Sequence, residues 1–265
     1  MNAASLLEAV RACAAGVDGT VAVSVRDLER GRQVDLHPEE RFPSASIIKV
    51  PILVELFAQA EAGQLQLDET IPLRDADRVE GSGVLSMLHL GVELSLRDLA
   101  HLMIVISDNT ASNMLIERVT CDAVNRRLAS LGCKVTRLGR KFYDFAARDR
   151  GLDNWAAAGE FAALLAGIEQ RKVVSAAACE AMLGILKKQQ FSGRIPALLP
   201  PDTVVAHKTG SITNVSHDVG VIYAPAGPLV LAVLTKGVAP AWKAEKVIRE
   251  IALTVYDHWG EERNV

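Results

Sequence analysis

The sequence has 265 residues, 49% hydrophobic and 23% charged, with a formal net charge of −3. That is room for one large domain or two small ones around an ordinary globular core. The slight acidic balance gives no electrostatic reason to expect nucleic-acid or anionic-membrane partners, and no apolar run approaches the roughly 18 residues that cross a bilayer.

Residues 1–16 read as an amphipathic helix with Leu6, Val10 and Ala14 on one stripe. Glu8 and Arg11 interrupt the segment and no basic stretch opens it, so it does not read as a signal peptide. As it stands the chain is expected in the cytoplasm, or in the periplasm or outside the cell if a leader has been removed. Residues 20–25 alternate in strand fashion, 27–31 turn, and 33–36 return as the second arm of a hairpin. A helix is expected from Ala45 or Ser46 to about residue 63. Pro51 then falls in its first turns, where a missing N–H disturbs only early bonds.

Residues 65–188 read as mostly helical. Ser95-Leu96-Arg97-Asp98 resembles a capping box ahead of an apolar run over 99–106. The run stops at Ser107-Asp108-Asn109, and a new helix is expected over 110–119. Asp122 is a candidate cap for another, ending at Gly132. Residues 137–154 have no clean period and read as a long loop, a kind that is often functional. Helices follow over 155–169 and 175–188.

After Pro200-Pro201 three strands are expected over 203–209, 219–224 and 229–235, with a turn at 225–228 and a final helix over 241–259. Strands at both ends of the chain and helices between them predict an α/β (α+β) fold. It would hold one antiparallel sheet flanked by the terminal helices, plus an all-helical lobe. Residues 1–44 and 190–265 would form the first lobe and 45–189 the second.

The four cysteines, Cys13, Cys121, Cys133 and Cys179, are scattered, and they read as buried free thiols. No HExxH or Cys/His cluster stands out, so no metal and no cofactor is expected. Ser46-Ile47-Ile48-Lys49 is more informative. On a helix, side chains three apart share a face, so a hydroxyl and an amine would meet there. A free serine needs such a base to become a nucleophile. Alone the pattern is weak, because it occurs by chance roughly once in a chain this long.

Two further motifs follow in order, Ser107-Asp108-Asn109 and Lys208-Thr209-Gly210. With these three the sequence resembles the class A β-lactamases and penicillin-binding serine hydrolases over nearly its whole length. Phe42-Pro43, Gly81-Ser82-Gly83-Val84-Leu85 and Ser211 add context. The resemblance implies an active site in the cleft between the two lobes, where Ser46 attacks a carbonyl to form an acyl-enzyme, with Lys49 as base or positive charge. The N–H groups of Ser46 and Ser211 would form the oxyanion hole. Ser107 would pass a proton to the leaving nitrogen and Asn109 would hold a side-chain amide. Lys208 and Thr209 would meet a substrate carboxylate, and Gly210 would let substrate approach the backbone. Two ammonium groups in one cleft are also expected to depress each other's pKa.

The loop departs from the family pattern. If Arg140 is the loop arginine, Phe142 stands where the family carries its water-activating glutamate, and Ala146 where it carries an asparagine. Asp144 is the nearest substitute base, and a salt bridge to Arg140 or Arg148 accounts for it equally well. His217 and Asp218 stand at the start of the strand after the third motif, where many relatives carry an arginine that helps hold a carboxylate; Arg194 is a possible stand-in. His207 and His217 read as structural. The expected function is a β-lactamase-type serine hydrolase acting on a β-lactam or a D-amino-acid peptide. Two alternatives stand beside it. One is a D-alanyl peptidase, amidase or esterase on the same scaffold. The other is a penicillin-binding module that is acylated without turnover. Loss of the glutamate argues against an efficient β-lactamase.

Overall fold

The computed structural model describes residues 2–260. Helix α1 (Ala3–Ala14) is capped by the Asn2 side chain, which accepts from the Ser5 N–H at 2.9 Å. Strands β1 (Thr20–Asp27) and β2 (Arg32–Leu36) form the hairpin expected near the start. The three strands expected after Pro201 are β7 (Val205–Ile212), β8 (Val215–Ala224) and β9 (Gly227–Lys236). All five make one antiparallel sheet in the order β2-β1-β9-β8-β7, so β7 is an edge.

The period-two alternation of these strands sorts two cores. Val21, Val23 and Val25 of β1 and Leu229, Leu231 and Val233 of β9 face α1 and the last helix, α9 (Ala241–Val255), sharing a core with Leu6, Val10, Val247 and Ile251. Ala22, Val230, Ala232 and Leu234 face the other way and join the core of the helical segment. The helices between residues 45 and 189 therefore pack directly on the second face of the sheet. Apolar residues on both faces explain why the strands read as near-continuous hydrophobic runs.

The helical segment holds α2 (Lys49–Glu61), α3 (Leu96–Val105), α4 (Asn109–Val119), α5 (Cys121–Ser130), α6 (Phe145–Asp149), α7 (Ala158–Glu169) and α8 (Ala176–Leu186). The Ser95–Asp98 capping box is present, with Asp98 N donating to Ser95 Oγ at 3.0 Å. Several expectations are corrected. A short ladder pairs β4 (Thr70–Pro72) with β5 (Glu93–Ser95) inside the segment read as helical. Residues 155–156 are not helical, because Trp155–Ala156 (β6) pairs with Phe42–Pro43 (β3). Thr120, not Asp122, caps α5, accepting from the Ala123 N–H at 3.2 Å. The last helix ends at Val255 and continues as a wider turn over Tyr256–Gly260. The cysteines are free thiols, but only Cys179 is fully buried. Among the described residues no helix is long and apolar enough to cross a membrane.

Candidate active site

Ser46 does not sit in the α-helix itself. It lies in a tight 3-10 turn, Ala45–Ile48, that leads into α2, and Ala45 enters it at φ +45. Positive φ in a residue with a Cβ costs on the order of 1–3 kcal/mol and tends to mark functional sites. The turn orients Ser46 toward the edge strand β7. Gly210 is what permits the approach: a Cβ there would come within 3.0 Å of Ser46 N and 3.1 Å of Ile47 N. Ser46 N thus lies beside β7 at Gly210, the residue before Ser211.

Lys49 opens α2 and is wholly buried. Its Nζ donates to Ser107 O at 2.7 Å, Ser107 Oγ at 3.1 Å and Asn109 Oδ1 at 2.9 Å. The first two motifs are thereby joined through one amine. Burial pushes the Lys49 amine well below its ordinary value; the Lys208 ammonium pushes the same way and Asp108 opposes it. Burial also lowers Lys208, to about 7, with Asp218 opposing and Arg194 adding to the drop. Desolvation is the larger cause at both amines, ahead of the charge repulsion expected from sequence. Lys208 donates to the carbonyl of Thr209 at 2.8 Å.

Asp108 anchors the second motif. Its Oδ2 accepts from the Val84 and Leu85 N–H groups at 2.7 and 2.8 Å, and its Oδ1 from Ala111 N at 2.9 Å. The loop carrying Ser82 is thereby tied to Ser107, itself at φ +58. Asn109 adds to the tie, donating from its backbone to Ser82 O at 3.0 Å and from Nδ2 to Glu80 O at 3.0 Å.

The long loop is closed at its neck. Arg140 pairs with Asp153 at 2.8 Å. Asn154 Oδ1 accepts from Gly139 N and Arg140 N at 2.8 and 3.0 Å, and its Nδ2 donates to Arg140 O at 3.1 Å. Farther along, Asn113 clamps the Phe142 backbone. Its Oδ1 accepts from Phe142 N at 2.8 Å and its Nδ2 donates to Phe142 O at 2.9 Å. The clamp holds the Phe142 ring 4.4 Å from Lys49 Nζ.

Ser46, Ser82 and Ser211 stand where two clefts meet. One, of about 430 Å³, runs under the long loop past Asn109, Phe142, Tyr143, Phe145 and Ile212. The other, of about 380 Å³, runs past Ser107, Thr209, Gly210 and Arg194. Ser46, Lys49, Ser107, Asn109, Lys208, Thr209, Gly210 and Ser211 are thus brought into one neighbourhood. Asp144 is not among the residues lining either cleft. Its Oδ1 accepts from Ala147 N at 2.9 Å and caps α6, while Arg140 pairs with Asp153 instead. His207 binds buried Asp218 at 2.9 Å. His217 Nε2 donates to Pro43 O at 2.8 Å and its Nδ1 accepts from Thr235 N at 3.1 Å. That neutral arrangement matches a pKa lowered by burial to about 4.

Arg194 does reach the second cleft. It donates from Nη1 to Gly210 O at 2.9 Å and to His217 O at 2.7 Å, and its Nη2 meets Glu245 at 3.3 Å. It is the stand-in that the sequence offered. Asn113 and Asn154 carried no sequence signal beyond being polar residues in or beside helices. Among the described residues no group of His, Cys, Asp and Glu side chains could hold a metal ion.

The sequence profile of the beta-lactamase enzyme family matches residues 5–259. The extended-spectrum beta-lactamase PER-1 of Pseudomonas aeruginosa is 29% identical over 266 residues, covering 95% of this chain and 86% of that protein. A beta-lactamase structure from Sphaerobacter thermophilus DSM 20745 superposes with a TM-score of 0.90 at 36% identity, covering 98% of each chain. A leucine-to-glutamate variant of PBP-A, solved as an acyl-enzyme complex with penicillin G, superposes at 0.89 with 26% identity and 96% coverage of each chain.

Proposed function

The chain belongs to the beta-lactamase enzyme family and is a serine hydrolase of β-lactam amide bonds, and from that premise we propose that it works through an acyl-enzyme on Ser46 whose breakdown is the slow step. Ser46 Oγ attacks the carbonyl carbon, and its proton passes to neutral Lys49 Nζ, a path that fits the lowered pKa of that amine. The N–H groups of Ser46 and Ser211 receive the developing oxyanion. Ser107, already bonded to Lys49, hands a proton to the leaving nitrogen. Thr209, Lys208 and Arg194 receive the substrate carboxylate, two of them as cations.

The observation that carries this reading is the Phe142 ring 4.4 Å from Lys49 Nζ. A phenyl ring accepts no proton, so the face of Lys49 that meets the long loop holds no carboxylate to activate water. General-base assistance is worth ~10²–10⁴-fold, and its loss falls on deacylation. The same ring favours a second reading, acylation without turnover, as in a penicillin-binding module.

A chromogenic cephalosporin separates the two. We expect a burst stoichiometric with enzyme and then slow turnover, with both phases missing in Ser46→Ala. A burst with no later turnover selects the second reading. Fast turnover without a burst, or a burst retained in Ser46→Ala, refutes the acyl-enzyme account.

A further inference from the structure

The cleft under the long loop has a chemical character of its own. The rings of Phe142, Tyr143 and Phe145 line it together with Ile212. Tyr143 and Phe145 meet edge to face at 5.7 Å, and both are exposed, at 41% and 50%. Tyr143 is held at φ +62, and its hydroxyl packs so closely on Gly81 that a Cβ there would lie 2.5 Å from it. The ring therefore bridges the loop and the Ser82 segment. Exposed rings held in place beside a nucleophile form an apolar surface waiting for an apolar group.

Three charged side chains line the same cleft, Arg140, Arg148 and Asp153. Arg140 and Asp153 neutralise each other at 2.8 Å. Arg148 has no carboxylate partner among the described residues; its guanidinium lies 5.0 Å from the centre of the Phe145 ring. The cleft thus holds one uncompensated positive charge beside an aromatic wall.

Resting on the reading that Ser46 is acylated, we propose that Arg148, with Tyr143 and Phe145, makes this cleft a subsite for an aromatic acyl side chain bearing an anionic group. The ring of such a side chain packs against Tyr143, Phe145 and Ile212, and its carboxylate faces Arg148. The substrate then meets a cation at each end, Arg148 in this cleft and Arg194 with Lys208 in the other.

Three penicillins share one phenylacetyl scaffold and differ only in the charge beside the ring. Carbenicillin carries a carboxylate there, benzylpenicillin nothing and ampicillin an ammonium. The second-order acylation rate is expected to fall in that order. A solvent-facing ion pair corresponds to about two- to fivefold per step. Added salt should compress the series, since exposed charges are screened over about 10 Å at 0.1 M.

In Arg148→Glu the order should invert, and in Arg148→Gln it should flatten. Because each variant is read as a ratio among its own three substrates, a general loss of folding or activity does not move the result. An unchanged order in Arg148→Glu, or equal rates for the three in the wild type, overturns the subsite. If none of the three forms an adduct on Ser46, the acyl-enzyme reading falls and takes the subsite with it. If benzylpenicillin acylates Ser46 but charge has no effect, the subsite alone fails.

Discussion

Replacing Phe142 with glutamate should change both half-reactions, in opposite directions. The backbone at this position is fixed by the two Asn113 hydrogen bonds at 2.8 and 2.9 Å, so a new side chain projects toward Lys49 as the ring does. The ring centre lies 4.4 Å from Nζ. A carboxylate at a similar separation would attract the ammonium by about 4 kcal/mol at an effective dielectric constant of about 20. That attraction raises the Lys49 pKa. Less Lys49 is then neutral at pH 7, so acylation should slow and its pH profile should move upward. Deacylation should instead quicken by ~10²–10⁴-fold, because a base now faces the water. Stopped-flow acylation across pH 6–10, with intact-mass decay of the penicillin adduct, reads the two rates separately. An adduct lifetime unchanged in a folded Phe142→Glu protein would show that a missing carboxylate here is not what slows deacylation. Acylation and deacylation rising together would contradict the raised Lys49 pKa.

Three further outcomes follow from the same geometry. Lys49→Arg should lose acylation by ~10²–10⁴-fold, since a guanidinium does not give up its proton; stopped-flow acylation rates check this, and near-normal rates would exclude Lys49 as the base. Gly210→Ala should push the Ser46 N–H out of line, because the new Cβ meets that nitrogen at 3.0 Å. Acylation should fall on the order of tenfold, short of the 10²–10³ for losing an oxyanion donor outright, with thermal stability measured alongside. Lys208 is charged below about 7 and neutral above it. Affinity for a carboxylate-bearing substrate, read as KM, should therefore weaken as pH rises through that value in wild type and stay flat in Lys208→Arg. The same lowered pKa has a sign for stability. Between about 7 and 10.5 the folded chain binds fewer protons at Lys208 than the unfolded one, so this contribution rises with pH across that window.

The residues that gather at the candidate site were legible because each motif is local: a serine and a lysine on one turn, a helix–helix junction, a strand end. The sheet was legible too, since β1, β7, β8 and β9 alternate or run apolar in the way buried strands do. What escaped depends on partners distant in sequence. Trp155 and Ala156 read as a helix start because their strand partner, Phe42–Pro43, lies more than a hundred residues earlier. Arg194 could be named as a stand-in but its partners could not, because only the folded β7–β8 pair brings Gly210 O and His217 O to its guanidinium. Asp144 looked available as a base because a sequence shows a carboxylate and not the N–H group it caps. The Lys208 charge lowers the Lys49 pKa as expected, but the larger cause was not legible. Burial depends on the whole packed cleft, and it outweighs the neighbouring charge at both Lys49 and Lys208.

A long-lived acyl group on Ser46 separates this enzyme from one that hydrolyses β-lactams quickly. Wild-type protein mixed with benzylpenicillin, quenched over a time series, digested and mapped by mass spectrometry tests it most directly. A single adduct of the whole penicillin mass is expected on the peptide containing Ser46, outlasting mixing and decaying slowly. An adduct mapped to Ser44 or any other residue, or product formed while no adduct accumulates at any time point, would contradict it.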